Sequence, residues 1–259
     1  MNKYISYKTN NNGICLLKIS RAPVNALSFN LLHDLNKVLL KLNEDDQIRC
    51  LLIYTDNKHF SAGADLKERK IMSKNQASDA LNIFNECFNN LENFKTPVIC
   101  VINGFCLGGG AELALSCDIR IGSNDSIVGF PEVSIGIIPG AGGTQRLSNV
   151  IGFSNSKYWI LTAKKFTAIE AEKFGFLNFV VNKNNLLNYS ISIAEEIINN
   201  APIAIKSAKL AINQGLQLNS LKEKLNIERK HYTTCLNSKD RLEALDAFNN
   251  KRKPKWENK

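Results

Sequence analysis

The chain has 259 residues, of which 44% are hydrophobic and 22% charged, a composition that is typical of a globular protein and excludes a disordered or fibrous one. No segment reaches the roughly 18 consecutive apolar residues of a membrane span, so no membrane partner is predicted. The net charge is +9, but five of the basic residues lie in residues 251–259, so nucleic acid is not a predicted partner either.

Apolar periodicity predicts an α/β chain in which short strands alternate with helices before a purely helical end. The predicted strands cover residues 14–19, 50–55, 97–102, 118–122 and near 176–181. The predicted helices are one of about 14 residues from Ser28, one within 74–93, one opened by Gly108, Gly109 and Gly110, and then 144–150, 154–162, 167–174, 186–200, 202–215, 218–234 and 238–249. Two regions are expected, a core of residues 1–195 and a helical region of residues 196–259.

Two glutamates stand alone in apolar sequence. Glu112 is the only charged residue between Pro97 and Cys117, and Glu132 is the only one between residues 126 and 145. A carboxylate is costly to bury unless it gains partners or a raised pKa, and such groups are candidates for acid–base catalysis. Alternatively, each glutamate points to solvent from an otherwise buried element.

The glycines before Glu112 suggest a site for a negatively charged oxygen. The N–H groups at the start of a helix lack acceptors, and the absence of side chains lets a ligand approach. Gly109 and Glu112 are three residues apart and therefore on one helix face. A second loop, HFSAGADLK, also has the composition to expose backbone amides, with Asp65 as a helix N-cap. The alternative for the glycines is close helix packing through Gly104 and Gly108.

Other kinds of site find little support in the sequence. The glycine-rich segment 136–143 does not have the spacing of a dinucleotide or P-loop motif, so nicotinamide and ATP are not predicted. The seven cysteines form no Cys-x-x-Cys pair, and His33, His59 and His231 are far apart, so we expect reduced structural thiols and no metal. The N-terminus lacks the apolar segment of a secretory signal, which predicts a cytoplasmic location.

Four segments together resemble the enoyl-CoA hydratase/isomerase (crotonase) superfamily: FSAGADLKER, VINGFCLGGGAELALSCDIRI, GFPEVSIGIIPGAGGTQRL and SKDRLEALDAFNNKRKP. The resemblance covers almost the whole chain. It implies an α/β fold in which ββα units form a superhelix, with a C-terminal helical region that assembles homotrimers or homohexamers. It also implies a hydro-lyase, an enoyl-CoA hydratase, with no cofactor because coenzyme A is part of the acyl-CoA substrate.

The resemblance assigns roles residue by residue. The amides of Ala64 and Gly109 match the oxyanion hole that holds the thioester oxygen. Glu112 matches the glutamate that activates water at C3, and Glu132 the one that delivers a proton to C2. Gly140 matches a glycine that positions the water. The residues that match substrate and CoA contacts are Ala26, Ala62, Ala64, Asp65, Leu66, Lys67 and Gly109, with Phe248 and Lys251 matching positions that reach CoA in a neighbouring subunit.

The implied reaction is reversible syn addition of water to the 2,3 double bond of a 2-enoyl-CoA, in fatty-acid β-oxidation or branched-chain acyl-CoA catabolism. Two alternatives remain open. One is a Δ3,Δ2-enoyl-CoA isomerase, although family isomerases commonly keep only the glutamate that matches Glu132. The other is a methylglutaconyl-CoA hydratase, whose branch AGADLKER and SKDRLEALDAF resemble, with secondary RNA binding. The predicted first helix carries Lys37 and Lys41 but turns acidic at residues 44–46, which disfavours RNA.

Overall fold

Short strands alternate with helices through most of the chain, in a computed structural model that describes residues 3–259. Nine strands lie within these residues: β1 Ile5–Thr9, β2 Ile14–Ile19, β3 Cys50–Tyr54, β4 Val98–Ile102, β5 Phe105–Leu107, β6 Ile119–Ser123, β7 Ile127–Gly129, β8 Lys165–Thr167 and β9 Phe179–Val181. The predicted strands correspond to β2, β3, β4, β6 and β9. The sequence did not predict β1, β5, β7 and β8, of which the last three have only three residues each.

Eleven α-helices lie between and after the strands in the described part of the chain. They are α1 Phe29–Asn43, α2 Leu66–Lys70, α3 Lys74–Glu92, α4 Gly109–Leu115, α5 Gly143–Ile151, α6 Phe153–Thr162, α7 Ala168–Lys173, α8 Leu186–Ile198, α9 Pro202–Leu216, α10 Leu221–Leu236 and α11 Lys239–Asn249. All were predicted except α2, for which the sequence predicts only the N-cap, Asp65. Two 3-10 turns cover Glu132–Ile135 and Lys183–Asn185. No helix within residues 3–259 is long and apolar enough to cross a membrane.

Side-chain caps explain where several helices begin. Ser28 Oγ accepts a hydrogen bond from Leu31 N at the start of α1. Ser73 and Gln76 form a reciprocal capping box at the start of α3. These caps satisfy backbone N–H groups that have no acceptor inside the helix, and they stabilise the start of each helix.

A six-stranded sheet in the order β1-β2-β3-β4-β6-β9 forms the centre of the molecule. It is parallel from β2 to β9, and β1 pairs antiparallel with β2. Alternate residues of β3 face two different apolar clusters: Leu51 and Ile53 join the larger one, while Cys50 and Leu52 join a smaller one. Both faces are therefore covered, as is usual for parallel sheets, and the strands read as continuous apolar runs.

The smaller cluster lies under α8, which contributes Leu186 and Ala194. Residue 195, the predicted boundary between the core and the helical region, lies inside this helix, and that division stays a prediction. Six of the seven cysteines are buried, and none of the seven forms a disulfide bond. Burial raises the pKa of Cys50 to about 12, so its thiol stays protonated in the core.

A second, three-stranded sheet in the order β5-β7-β8 positions the site. The chain passes from β4 to β5 at Gly104, which has a φ of 56° and would place a Cβ within 2.5 Å of a His59 ring atom. Glycine is therefore required at this turn. Since β5 occupies residues 105–107, the segment between Gly104 and Gly108 is a strand and not a helix-packing motif. It delivers the chain directly into α4.

Candidate active site

Glu112 lies in the first turn of α4, a helix whose residues are all buried. The side chain is only 4% exposed, so it does not point to solvent. Its Oε1 accepts hydrogen bonds from the backbone N–H groups of Ala141 at 2.8 Å and Gly143 at 2.9 Å. The other oxygen of Glu112, Oε2, has no hydrogen-bond partner within residues 3–259 and is therefore available for chemistry.

Burial and hydrogen bonding act in opposite directions on Glu112. Burial raises its pKa above the ordinary value, while the two backbone N–H groups and the positive charges of Arg146 and Arg69 lower it, and the net direction is upward. The carboxylate therefore remains a stronger base than a solvated glutamate. A Cβ on Gly143 would lie 2.8 Å from Oε1, so only glycine allows this close approach.

Glu132 begins the 3-10 turn that follows β7, and it is 8% exposed. It approaches the start of α4 at Gly108, whose φ is 52° and where a Cβ would lie 2.8 Å from Glu132 Oε1. Its Oε2 is buried and has no hydrogen-bond partner among the described residues. Burial, aided by the negative charge of Glu112, raises the pKa of Glu132 to about 7. At neutral pH the group is therefore available in both its protonated and ionised forms.

The amides of Ala64 and Gly109 come together from two distant loops. Leu27 forms a bridge with Ala64, which holds the first loop beside the start of α4. A Cβ on Gly109 would lie only 3.4 Å from Ala64 N, and a Cβ on Gly63 would lie 3.2 Å from Gly109 N. Neither Ala64 N nor Gly109 N donates a hydrogen bond to any residue from 3 to 259. Two adjacent free donors of this kind form a site for a negatively charged oxygen.

One cleft contains both carboxyl groups and both loops. It holds about 590 Å³ of space, part of which is open solvent. Gly140 also lies in its wall. Most of the remaining wall is apolar and is formed by Leu66, Leu81, Phe84, Pro131, Ile135, Ile137 and Ile138. Water is thus partly excluded around the polar groups, which strengthens their electrostatic interactions.

The residues that match CoA contacts are only partly gathered at this cleft. Ala62, Ala64, Leu66 and Gly109 line it. Asp65 is the N-cap of α2, as predicted, and pairs with Arg21 at 2.6 Å. Other predicted contacts lie outside the lining: Ala26, which accepts a hydrogen bond from Arg21, the exposed Lys67, Phe248 in the last turn of α11, and Lys251 just after that helix. Phe248 is 82% exposed in the single chain.

Sequence reasoning missed three contributors to the cleft. The N–H groups of Ala141 and Gly143 orient Glu112, and the glycine-rich run 140–143 was a signal that the backbone there could approach a partner. Arg69, on the short α2, reaches the cleft wall. The periodicity of a five-residue helix is too short to show which side chains face inward.

Comparison with known proteins identifies the family of the chain. The family model for enoyl-CoA hydratase/isomerase matches residues 9–259. The short-chain-enoyl-CoA hydratase of Clostridium acetobutylicum is 38% identical over 93% of this chain and 92% of its own, and the mitochondrial methylglutaconyl-CoA hydratase of mouse is 39% identical over 95% and 80%. The crystal structure of an enoyl-CoA hydratase from Bacillus anthracis superposes with a TM-score of 0.96 at 38% identity, covering 99% of this chain and 100% of that one.

The chain therefore belongs to the enoyl-CoA hydratase/isomerase family. The crotonase-like α/β fold implied by the four sequence segments is confirmed by the structural match. The prediction of an enzyme, a hydro-lyase of this family, is confirmed as well.

Proposed function

We propose that this protein catalyses the reversible syn addition of water to the 2,3 double bond of a 2-enoyl-CoA thioester. The observation that carries the proposal is the cleft in which Glu112 and Glu132 lie beside two free backbone N–H groups. Such a site can polarise an acyl oxygen and move two protons at neighbouring carbons. The hydratase names of the Clostridium and mouse relatives support the same reaction.

The N–H groups of Ala64 and Gly109 would bind the thioester oxygen. As water adds to C3, the electron pair of the double bond moves toward C2 and the carbonyl, so that negative charge develops on this oxygen. Fixed donors stabilise the charge without reorganising, and loss of one such donor typically costs about 100-fold or more in rate. The thioester bond itself is never broken.

The two glutamates would share the proton transfers. Glu112, ionised and oriented by Ala141 and Gly143, takes a proton from the water as its oxygen bonds to C3. Glu132, with a pKa of about 7, gives a proton to C2. The cycle consumes no electrons, and the two groups exchange protonation states that solvent then restores. Gly140 would position the water, as its place in the cleft wall allows.

The reaction as proposed requires no cofactor, since coenzyme A arrives with the substrate. Residues 3–259 contain no group of three or more side chains of the types that hold a metal ion. Ala26, Ala62, Asp65, Leu66, Lys67, Phe248 and Lys251 remain the proposed contacts to CoA. A homotrimer or homohexamer is proposed because α9 to α11 expose many large apolar side chains, among them Ile212, Leu221 and Phe248.

Fatty-acid or branched-chain acyl-CoA catabolism is the proposed metabolic role. The cytoplasmic location stays a prediction, and the mouse relative is named as a mitochondrial protein. The presence of both carboxyl groups in one cleft favours hydration over double-bond isomerisation, which needs only one group to carry a proton between carbons.

The test is loss of the conjugated-thioester absorbance of crotonyl-CoA. Glu112→Gln and Glu132→Gln keep the side-chain shape but cannot transfer the proton, so each is expected to lower kcat by about 100-fold or more. Binding of a saturated acyl-CoA, measured by calorimetry, should change little. Wild-type turnover in either variant would refute the assigned roles. A Glu112→Gln variant that still isomerises a 3-enoyl-CoA at the wild-type rate would favour the isomerase.

A further inference from the structure

Arg69 is an unpaired guanidinium in the wall of the catalytic cleft. Five arginines within residues 3–259 are shielded wholly or partly from solvent. Four of them donate hydrogen bonds: Arg21 to Asp65 and Ala26, Arg49 to Ile198 and Asn200, Arg120 to Phe176 and Cys117, and Arg146 to Glu92, Asn89 and Ala141. The guanidinium of Arg69 donates none to any described residue. A partly desolvated guanidinium without a protein acceptor is a ready binding partner for an anionic group that enters the cleft.

The surroundings of Arg69 define what that ligand would be. Its guanidinium carbon lies 5.7 Å from the centre of the Phe84 ring, and its neighbours in the cleft wall are mostly aliphatic. Among the described residues that line the cleft, Arg69 is the only basic side chain, and the acidic ones are Glu112 and Glu132. Neither glutamate lies within ion-pair distance of the Arg69 guanidinium, so no acidic side chain among the described residues neutralises the charge of Arg69. A planar guanidinium favours a carboxylate or a phosphate as its partner.

We propose that Arg69 binds a carboxylate carried by the acyl chain of the substrate, which makes monothioesters of unsaturated dicarboxylic acids the preferred substrate class. This inference rests on the proposed hydration at the same site. The competing anionic groups are the phosphates of CoA. They lie a whole pantetheine arm away from the thioester, whereas Arg69 shares one cleft with the two glutamates and the two N–H donors. A carboxylate on the acyl group is therefore a better partner for Arg69 than a phosphate of CoA.

Binding of an acyl carboxylate would also adjust the acid–base groups. In the free protein the positive charge of Arg69 lowers the pKa of both Glu112 and Glu132. A carboxylate paired with Arg69 would offset that charge and raise both values. At neutral pH a larger fraction of Glu132 would then be protonated in the complex with a dicarboxylic substrate, and the protonated form is the one that gives a proton to C2.

The experiment compares crotonyl-CoA with glutaconyl-CoA, which differ by one carboxylate on the terminal carbon. Hydration by the full-length protein is followed by liquid chromatography. We expect the wild type to prefer glutaconyl-CoA, and Arg69→Gln to lower kcat/KM for that ester by about 10- to 100-fold, as for loss of a charge-assisted hydrogen bond. Loss of the Arg69 charge also raises the pKa of both glutamates and acts on both esters, so the decisive quantity is the ratio of kcat/KM for glutaconyl-CoA to that for crotonyl-CoA, which should fall by about 10- to 100-fold in the variant. Arg69→Lys should restore part of the preference, because it restores the charge without the planar fork.

Lys70→Gln is the matched control. It removes one positive charge from the adjacent, exposed position of α2, outside the cleft lining, and should leave both rates unchanged. An equal loss on both esters in Arg69→Gln would overturn the inference and assign the side chain to CoA or to folding. A wild type that prefers crotonyl-CoA would also overturn it.

A binding measurement distinguishes failure of the proposed hydration from failure of the proposed carboxylate site at Arg69. If the wild type turned over neither ester, calorimetry would compare their binding directly. Tighter binding of glutaconyl-CoA by the wild type, lost in Arg69→Gln and kept in Lys70→Gln, would support the carboxylate site without the reaction. Equal affinities of the wild type for the two esters would refute it.

Discussion

Adding one methyl group at Gly143 tests whether the orientation of Glu112 matters. The new Cβ of Gly143→Ala would lie 2.8 Å from Glu112 Oε1 and 2.9 Å from Pro139 Cβ, both closer than ordinary van der Waals contact. Because Gly143 N donates to the same oxygen at 2.9 Å, the carboxylate cannot move away without weakening that bond. A hydrogen bond to a charged group contributes about 1.5–3 kcal/mol. If the loss is expressed in the transition state, kcat falls roughly 10- to 100-fold.

The assay is crotonyl-CoA hydration across pH, together with thermal unfolding. Losing a bond that favours the ionised form raises the pKa of Glu112, so the acidic limb of the rate profile should move to higher pH. Gly215→Ala is the control, because a Cβ there meets nothing within 4 Å in α9. It should keep activity and stabilise by about 0.5–1 kcal/mol. Wild-type kcat and an unmoved acidic limb in Gly143→Ala would refute the proposed orientation of Glu112.

Two further predictions concern the acid and the fold. Glu132 must be protonated to act and its pKa is about 7, so kcat/KM for hydration should fall as pH rises through about 7. The residual activity of Glu132→Gln should lack this basic limb. A flat wild-type profile from pH 6 to 8 would contradict the role of Glu132 as the acid. Lys209→Met breaks the ion pair between the nearly buried Lys209 and Asp118, whose charged atoms are 2.7 Å apart. The free energy of unfolding, measured by urea titration, should fall by about 3 kcal/mol. This is near the lower end for such pairs, because Asp118 is 26% exposed and keeps a hydrogen bond from Val98 N. A loss below 1 kcal/mol would show that the pair contributes little.

Local signals were enough to predict most of the fold. The apolar spacing of α1 and its N-cap Ser28 located that helix, since a helix start depends on neighbouring residues. The strands with continuous apolar runs were equally clear. Short strands such as β5 and β8 were missed because they are held by pairing with residues far away in sequence, which a local pattern does not record.

For the site, too, the sequence predicted some residues and could not predict others. Glu112 and Glu132 were conspicuous because each is an isolated charge in apolar sequence, and the glycines around them indicated close backbone approach. The residues that tune them were hidden. Arg69 sits among other charged residues in LKERK, and nothing local distinguishes it from Lys67 or Lys70. Its place in the cleft depends on how α2 packs beside α3 and Phe84.

The sequence by itself determined which residues could do chemistry: two carboxyl groups without charged neighbours, and glycines where a side chain would block a ligand or a partner. Only the tertiary structure decided how they act together. It brought Ala64 N within reach of Gly109, fixed Glu112 on the N–H groups of Ala141 and Gly143, and raised the pKa of Glu132 to about 7. The physical reason is that desolvation and electrostatic fields depend on distances in space, and these are set by elements that are far apart along the chain.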